Sequence, residues 1–74
     1  MAFEYAMLKG KIREKFGTQA EFADAMALSA TSVSEKLNNK CSWTQKEIDK
    51  ACTLLSINTV DIPAYFFTEK VKEL

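Results

Sequence analysis

Within residues 18–47 one four-residue signature occurs three times: Thr18-x-x-Glu21, Ser32-x-x-Glu35 and Thr44-x-x-Glu47. A hydroxyl followed three residues later by Glu marks a helix start, because each side chain can satisfy a backbone N–H that the first turn leaves unpaired. Starts this close together leave room only for short helices. The apolar residues agree, since they recur at helical spacing almost throughout and no stretch alternates as a strand would. The chain is therefore expected to be all-α, a compact bundle of four to five short helices joined by short turns. No repeat, low-complexity tract or linker divides it, so residues 1–74 are read as a single domain.

Leu8, Ile12 and Phe16 give a first helix one apolar stripe, and Gly17 suits a left-handed stop. A second helix, about 18–27, starts at the Thr18 box and buries Phe22, Ala23 and Met26. A third, about 29–38, takes Ser29 as its N-cap, with Ser32 as a rival start one turn later. Val33 and Leu37 face it inward, and Asn38-Asn39 ends it, because Asn tolerates a left-handed turn. The fourth starts at Thr44, where Trp43 and Ile48 stand in the positions of a hydrophobic staple, and continues inward through Cys52 and Leu55. A fifth begins around Thr59, since Pro63 is comfortable only in a first turn. Residues 68–74 form a tail.

Composition narrows the class. Seventy-four residues are near the lower limit for folding without a staple, and a chain of this size buries about 60% of the surface its unfolded form exposes. With 47% hydrophobic and 27% charged residues it is a globular domain and not a disordered one. No apolar run approaches a membrane span and the N-terminus lacks a signal-peptide core, so a soluble intracellular protein is expected. Two cysteines are too few for a secreted disulfide framework, and without histidine they cannot assemble a four-ligand zinc site in the usual way. Cys52 reads as core and Cys41 as a loop thiol. Net charge is zero, but it is sorted into blocks. Residues 1–17 and 36–50 each hold four bases and two acids, while residues 18–35 hold three acids and no base. Local basic patches, not the total, attract phosphate.

The second and third helices, joined by about three residues, make a helix–turn–helix. Counted from Gln19, Phe22 stands fourth, the small Ala23 fifth, Met26 eighth, Leu28 tenth and Val33 fifteenth. This spacing resembles the Cro and lambda-repressor-like (XRE-type) helix–turn–helix family over roughly residues 8–67. The runs "SEKLNNKCSWTQKEIDKACTLLSI" and "DIPAYFF" are similar to a subgroup of small phage-borne Cro-like regulators. One departure is Ala27, where the family has Gly in the turn. A left-handed alanine costs about 1–2 kcal/mol, so a slightly reshaped turn is expected.

The resemblance implies a sequence-specific DNA-binding transcriptional regulator in a bacterial host cytoplasm, with the third helix in the major groove of operator DNA. Ser29, Ala30, Thr31, Ser34 and Glu35 would then face base edges. Hydroxyls can donate or accept, methyls suit thymine, and Glu35 could accept from cytosine. Gln19, Lys36, Asn38, Lys40, Ser42, Thr44 and Gln45 would contact the DNA backbone. The third helix has no arginine to fork onto guanine, so specificity should be modest or helped by DNA shape.

Each position has a plainer reading. Phe22, Ala23, Met26, Leu28, Val33 and Leu37 are core whatever the function, Ser29 is a cap first, and Glu35 and the lysines can be solvated surface. Trp43 can be a staple or a stacking platform. An enzyme is not indicated: no nucleophile–base pair or phosphate loop is present, and no cofactor, metal or small-molecule substrate is implied. The competing class is a protein-binding modulator or antirepressor that uses the same fold to grip another repressor. Finally, Phe67, Val71 and Leu74 make an apolar stripe. It suits a homodimer formed at least on DNA, or else it folds back on Phe3 and Tyr5, taken as part of the first helix.

Overall fold

The computed structural model describes residues 3–69. Helix α1 runs Ala6–Phe16, α2 Gln19–Ala25, α3 Ala30–Leu37 and α4 Gln45–Leu55; a 3₁₀ turn, Thr59–Asp61, leads into α5, Ile62–Phe66. The all-α reading stands. Extended pairing among the described residues is confined to one antiparallel bridge between Phe3 and Glu69.

The helix boundaries follow from local chemistry. Gly17 adopts φ 83°, a value that glycine reaches without a Cβ clash, and returns its N–H to the Arg13 carbonyl at 2.9 Å. Thr18 Oγ1 accepts from the Glu21 N–H at 3.2 Å, but no return bond from the Glu21 carboxylate is found, so only half of that expected box forms. Ser29, and not its rival Ser32, caps α3: its Oγ accepts from the Ser32 N–H at 3.0 Å. The Thr44 box forms in full, with Thr44 Oγ1 accepting from Glu47 N at 3.2 Å and Glu47 Oε1 from Thr44 N at 2.9 Å. Pro63 sits in the first turn of α5 as expected.

Ala27 takes φ 59° in the turn between α2 and α3. The left-handed conformation is thus kept and the alanine carries its cost. The turn closes through the Leu28 N–H, which donates to the Ala23 carbonyl at 2.9 Å.

Leu8 and Ile12 of α1, Phe22, Ala23 and Met26 around α2, and Val33 and Leu37 of α3 are buried together with Ala51, Cys52 and Leu55 of α4 and Phe66 of α5. Leu28 is only half-buried and packs on the edge of this core. The short α2 and α3 cannot stand alone as isolated helices. Their positions are set by this shared core, which leaves their opposite faces exposed.

Phe3 and Tyr5 are not part of the first helix. They lie before it, Phe3 in the bridge to Glu69 and Tyr5 as the capping residue of α1. Asn39, at φ 64°, holds this segment with both ends of its amide. Its Oδ1 accepts from the Phe3 N–H at 2.8 Å, and its Nδ2 donates to the Phe3 carbonyl at 2.9 Å. Glu4 N donates to Thr68 O at 2.6 Å, so residues from both ends of the described chain meet beside the end of α3. Phe67 packs edge-on against Phe3, with centroids 5.9 Å apart. That supports the fold-back alternative for Phe67, while Val71 and Leu74 lie outside the described residues.

Candidate interaction face

The start of α3 presents a run of small, exposed side chains. Ser29, Ala30 and Thr31 are all exposed, and Gln19 at the start of α2 is exposed as well. Small side chains in a row let another macromolecule approach the α3 backbone closely. Ser29 is partly spent on its own helix, because besides accepting from Ser32 N it donates to Ser32 Oγ at 3.0 Å.

Further along α3 the groups become engaged. Ser34 and Glu35 are half-buried. Asn38 turns back on the helix end, its Nδ2 donating to the Ser34 carbonyl at 2.8 Å and to Ser34 Oγ at 3.3 Å. Lys36 points toward α4: its ammonium lies 3.0 Å from Glu47 Oε1, donates to the Ser42 carbonyl at 3.2 Å and sits 5.9 Å from the centre of the Trp43 ring. With both side chains less than one-fifth exposed, this is an internal tie and not a free surface cation. Burial pushes the Glu47 carboxyl upward, but the Thr44 backbone N–H and the Lys36 ammonium outweigh it and hold the pKa below its usual value.

Lys40, Ser42, Thr44 and Gln45 are exposed in the α3–α4 connection and the start of α4. The Thr44 hydroxyl is occupied by its cap and the Ser42 carbonyl by Lys36. Of the residues singled out from sequence, Gln19, Ala30, Thr31, Lys40, Ser42 and Gln45 are therefore exposed with side chains that make no hydrogen bond or ion pair to another described residue, while Ser29 and Thr44 are spent on their caps. Glu21 and Asp24 are also exposed, on α2, so the outward side of the α2–α3 pair carries acid where its one lysine is already neutralised.

Trp43 is half-buried and packs edge-on against Phe66, with centroids 5.6 Å apart, so its ring is part of the fold and not a free stacking platform. It also lines a hollow of about 200 Å³ together with Phe3, Tyr5, Ile48 and Phe67. Sequence reasoning did not single out the Asn39 clamp or the Lys36–Glu47 tie. Spacing gave no signal for either, since they join segments 36 and 11 residues apart.

Among the described residues there is no cluster suited to hold a metal ion and no helix long and apolar enough to cross a membrane. Cys41 is exposed and Cys52 buried, both as free thiols.

No curated protein matches the chain. Among solved structures it is similar to the modulator of repression (MOR) of the temperate bacteriophage TP901-1 from Lactococcus lactis, known from a solution structure. The two are 53% identical over 97% of each chain, with a TM-score of 0.81. A family model described as "protein of unknown function (DUF739)" matches residues 1–69. That match spans nearly all of the sequence, and the chain belongs to the DUF739 family.

Proposed function

We propose that this chain is a small phage-type modulator of repression that works by binding a repressor protein. The observation that carries the reading is the 53% identity, over 97% of both chains, to a solved modulator of repression. The surface is consistent with a protein partner. Net charge is zero, the outward side of the α2–α3 pair carries Glu21, Asp24 and Glu35, and Lys36 is already paired with Glu47. A polyanion gains little from such a face, whereas the small side chains at Ser29, Ala30 and Thr31 allow close packing against a folded domain. The expected result is a stable complex, seen by sedimentation, between the purified chain and the repressor of the same phage, with altered occupancy of the repressor's operator. Failure of the two purified proteins to associate sinks this reading.

A second reading has its own support: the chain binds operator DNA itself, with α3 in the major groove. Its observation is the uncovered start of α3 next to Gln19, the arrangement a Cro-like helix–turn–helix uses. Here Ser29, Ala30, Thr31, Ser34 and Glu35 would face bases, Gln19, Lys36, Asn38, Lys40, Ser42, Thr44 and Gln45 would meet phosphates, and a homodimer would span two half-sites. A salt series separates the two readings. Binding to duplex must weaken steeply with salt as counterions are released, while a well-packed protein complex persists.

A further inference from the structure

The face described above leaves out a second feature on the other side of Gln19. Between α1 and the start of α2 lies an open cleft of about 490 Å³, floored by Ile12 and lined by Lys9, Gly10, Arg13, Gly17 and Gln19. Lys9 and Arg13 stand four residues apart on one face of α1, where side chains are neighbours. Both are exposed, and among the described residues neither has a carboxylate within ion-pair distance. The lining holds two cations and no acid.

Gly10 is a second, independent sign. It occupies the interior of an eleven-residue helix, where glycine is among the least favourable residues. Packing does not require it, because a Cβ added there would meet nothing within 4 Å. What the missing side chain does leave is bare backbone beside Lys9 and Arg13 in the cleft wall, so that a ligand group can sit against the helix within reach of both cations.

We infer that this cleft is a docking site for an acidic segment of the protein partner, with a carboxylate gripped between Lys9 and Arg13; this rests on the protein-binding reading above. Guanidinium forks onto carboxylate in a bidentate geometry that a lone ammonium cannot make. Duplex DNA is the poorer occupant because its charges are fixed along a stiff double helix that cannot fold into the cleft. Exposed Glu14, Glu21 and Asp24 lie close by in sequence on the same two helices, and a wide, stiff duplex would run against them where a short flexible acidic peptide can turn away.

The first test uses the full chain and needs no repressor. Hexaglutamate, hexalysine and a short mixed-sequence duplex are each titrated in at low salt, and backbone amide shifts are followed by NMR. Hexaglutamate is expected to give saturable shifts at Gly10, Gly17 and Gln19, and hexalysine none. The paired variant Lys9→Gln/Arg13→Gln should weaken binding about tenfold or more, as loss of charge-assisted contacts does, while Lys46→Gln/Lys50→Gln, equal in net charge, should not. Gly10→Leu keeps all charge and favours the helix, yet fills the cleft, and should weaken binding by a similar factor. Equal shifts around Lys46 and Lys50, indifference to Gly10→Leu, or tighter occupation of the cleft by the duplex would each overturn the inference. So would a repressor complex of unchanged affinity with the Gly10→Leu chain. Failure of the unaltered chain to bind repressor would instead strike the protein-binding reading, and the hexaglutamate result would still decide whether the cleft takes carboxylates.

Discussion

The two ends of α3 are built differently. At its start the chain is organised by neighbours in sequence: Thr18 caps α2, Ser29 caps α3, and the exposed side chains that follow, Ala30 and Thr31, are small. At its end the structure depends on residues far apart. Asn39 holds Phe3, Thr68 holds Glu4, and Phe66, Phe67, Trp43 and Tyr5 stack around them. The first end displays a surface and the second holds the molecule closed. Substitutions at the second end should therefore cost stability, while those at the first should leave stability nearly intact.

The widest contrast is expected inside the aromatic end itself. Phe66 is 1% exposed and Phe67 50%. Phe66→Ala should cost about 3–5 kcal/mol, transfer plus cavity, which for a domain of this size abolishes most of the folded population. Phe67→Ala loses mainly its edge contact with Phe3 and should cost about 1 kcal/mol. Urea denaturation of both variants checks this, and equal losses would mean that the closing contact is shared and not centred on Phe66.

Asn39 comes next. Asn39→Ala removes two hydrogen bonds to Phe3 and places a Cβ without Asn's local compensation at positive φ, for a loss of about 2–3 kcal/mol. Asn39→Gly keeps the backbone conformation and isolates the hydrogen-bond share, about 1–2 kcal/mol. If both variants matched the unaltered chain by thermal melting, the clamp would be an accessory and the comparison between the two ends would weaken.

The Lys36–Glu47 tie should reveal itself through pH. Folding lowers the pKa of Glu47, so its contribution to stability is fully present above the unfolded value of about 4.3 and is lost as pH falls through the folded value. Glu47→Gln should cost about 1 kcal/mol near neutrality and flatten the loss of stability below about pH 4.3. An unchanged acid limb would show that another carboxylate governs it.

The smallest effect has the opposite sign. Ala27→Gly relieves a left-handed alanine at the display end and should stabilise the fold by up to about 1 kcal/mol, offset in part by the greater freedom of glycine when unfolded. A rise of a few degrees in Tm is expected. A fall would show that the unfolded-state cost exceeds the strain.

Hydrophobic period and caps in the sequence alone determined the all-helical class, the order of the helices and the residues that close their ends. Leu8, Ile12, Phe22, Val33, Leu37, Cys52 and Leu55 were legible as core because the stripe and cap rules act within one or two turns of chain. The same rules misjudged Thr18–Glu21, where only half of the box forms, and Phe3 and Tyr5, which precede α1. Tertiary structure decided those, and it also decided which polar groups remain free. Lys36 looks like any surface lysine until α4 brings Glu47 and Trp43 to it, and Asn39 looks like a turn residue until Phe3 arrives from the other end of the chain. Lys9 and Arg13 are merely spaced along a helix until α2 folds alongside to make a cleft. Spacing cannot report such pairings, because they depend on how the helices pack and not on the residues beside them.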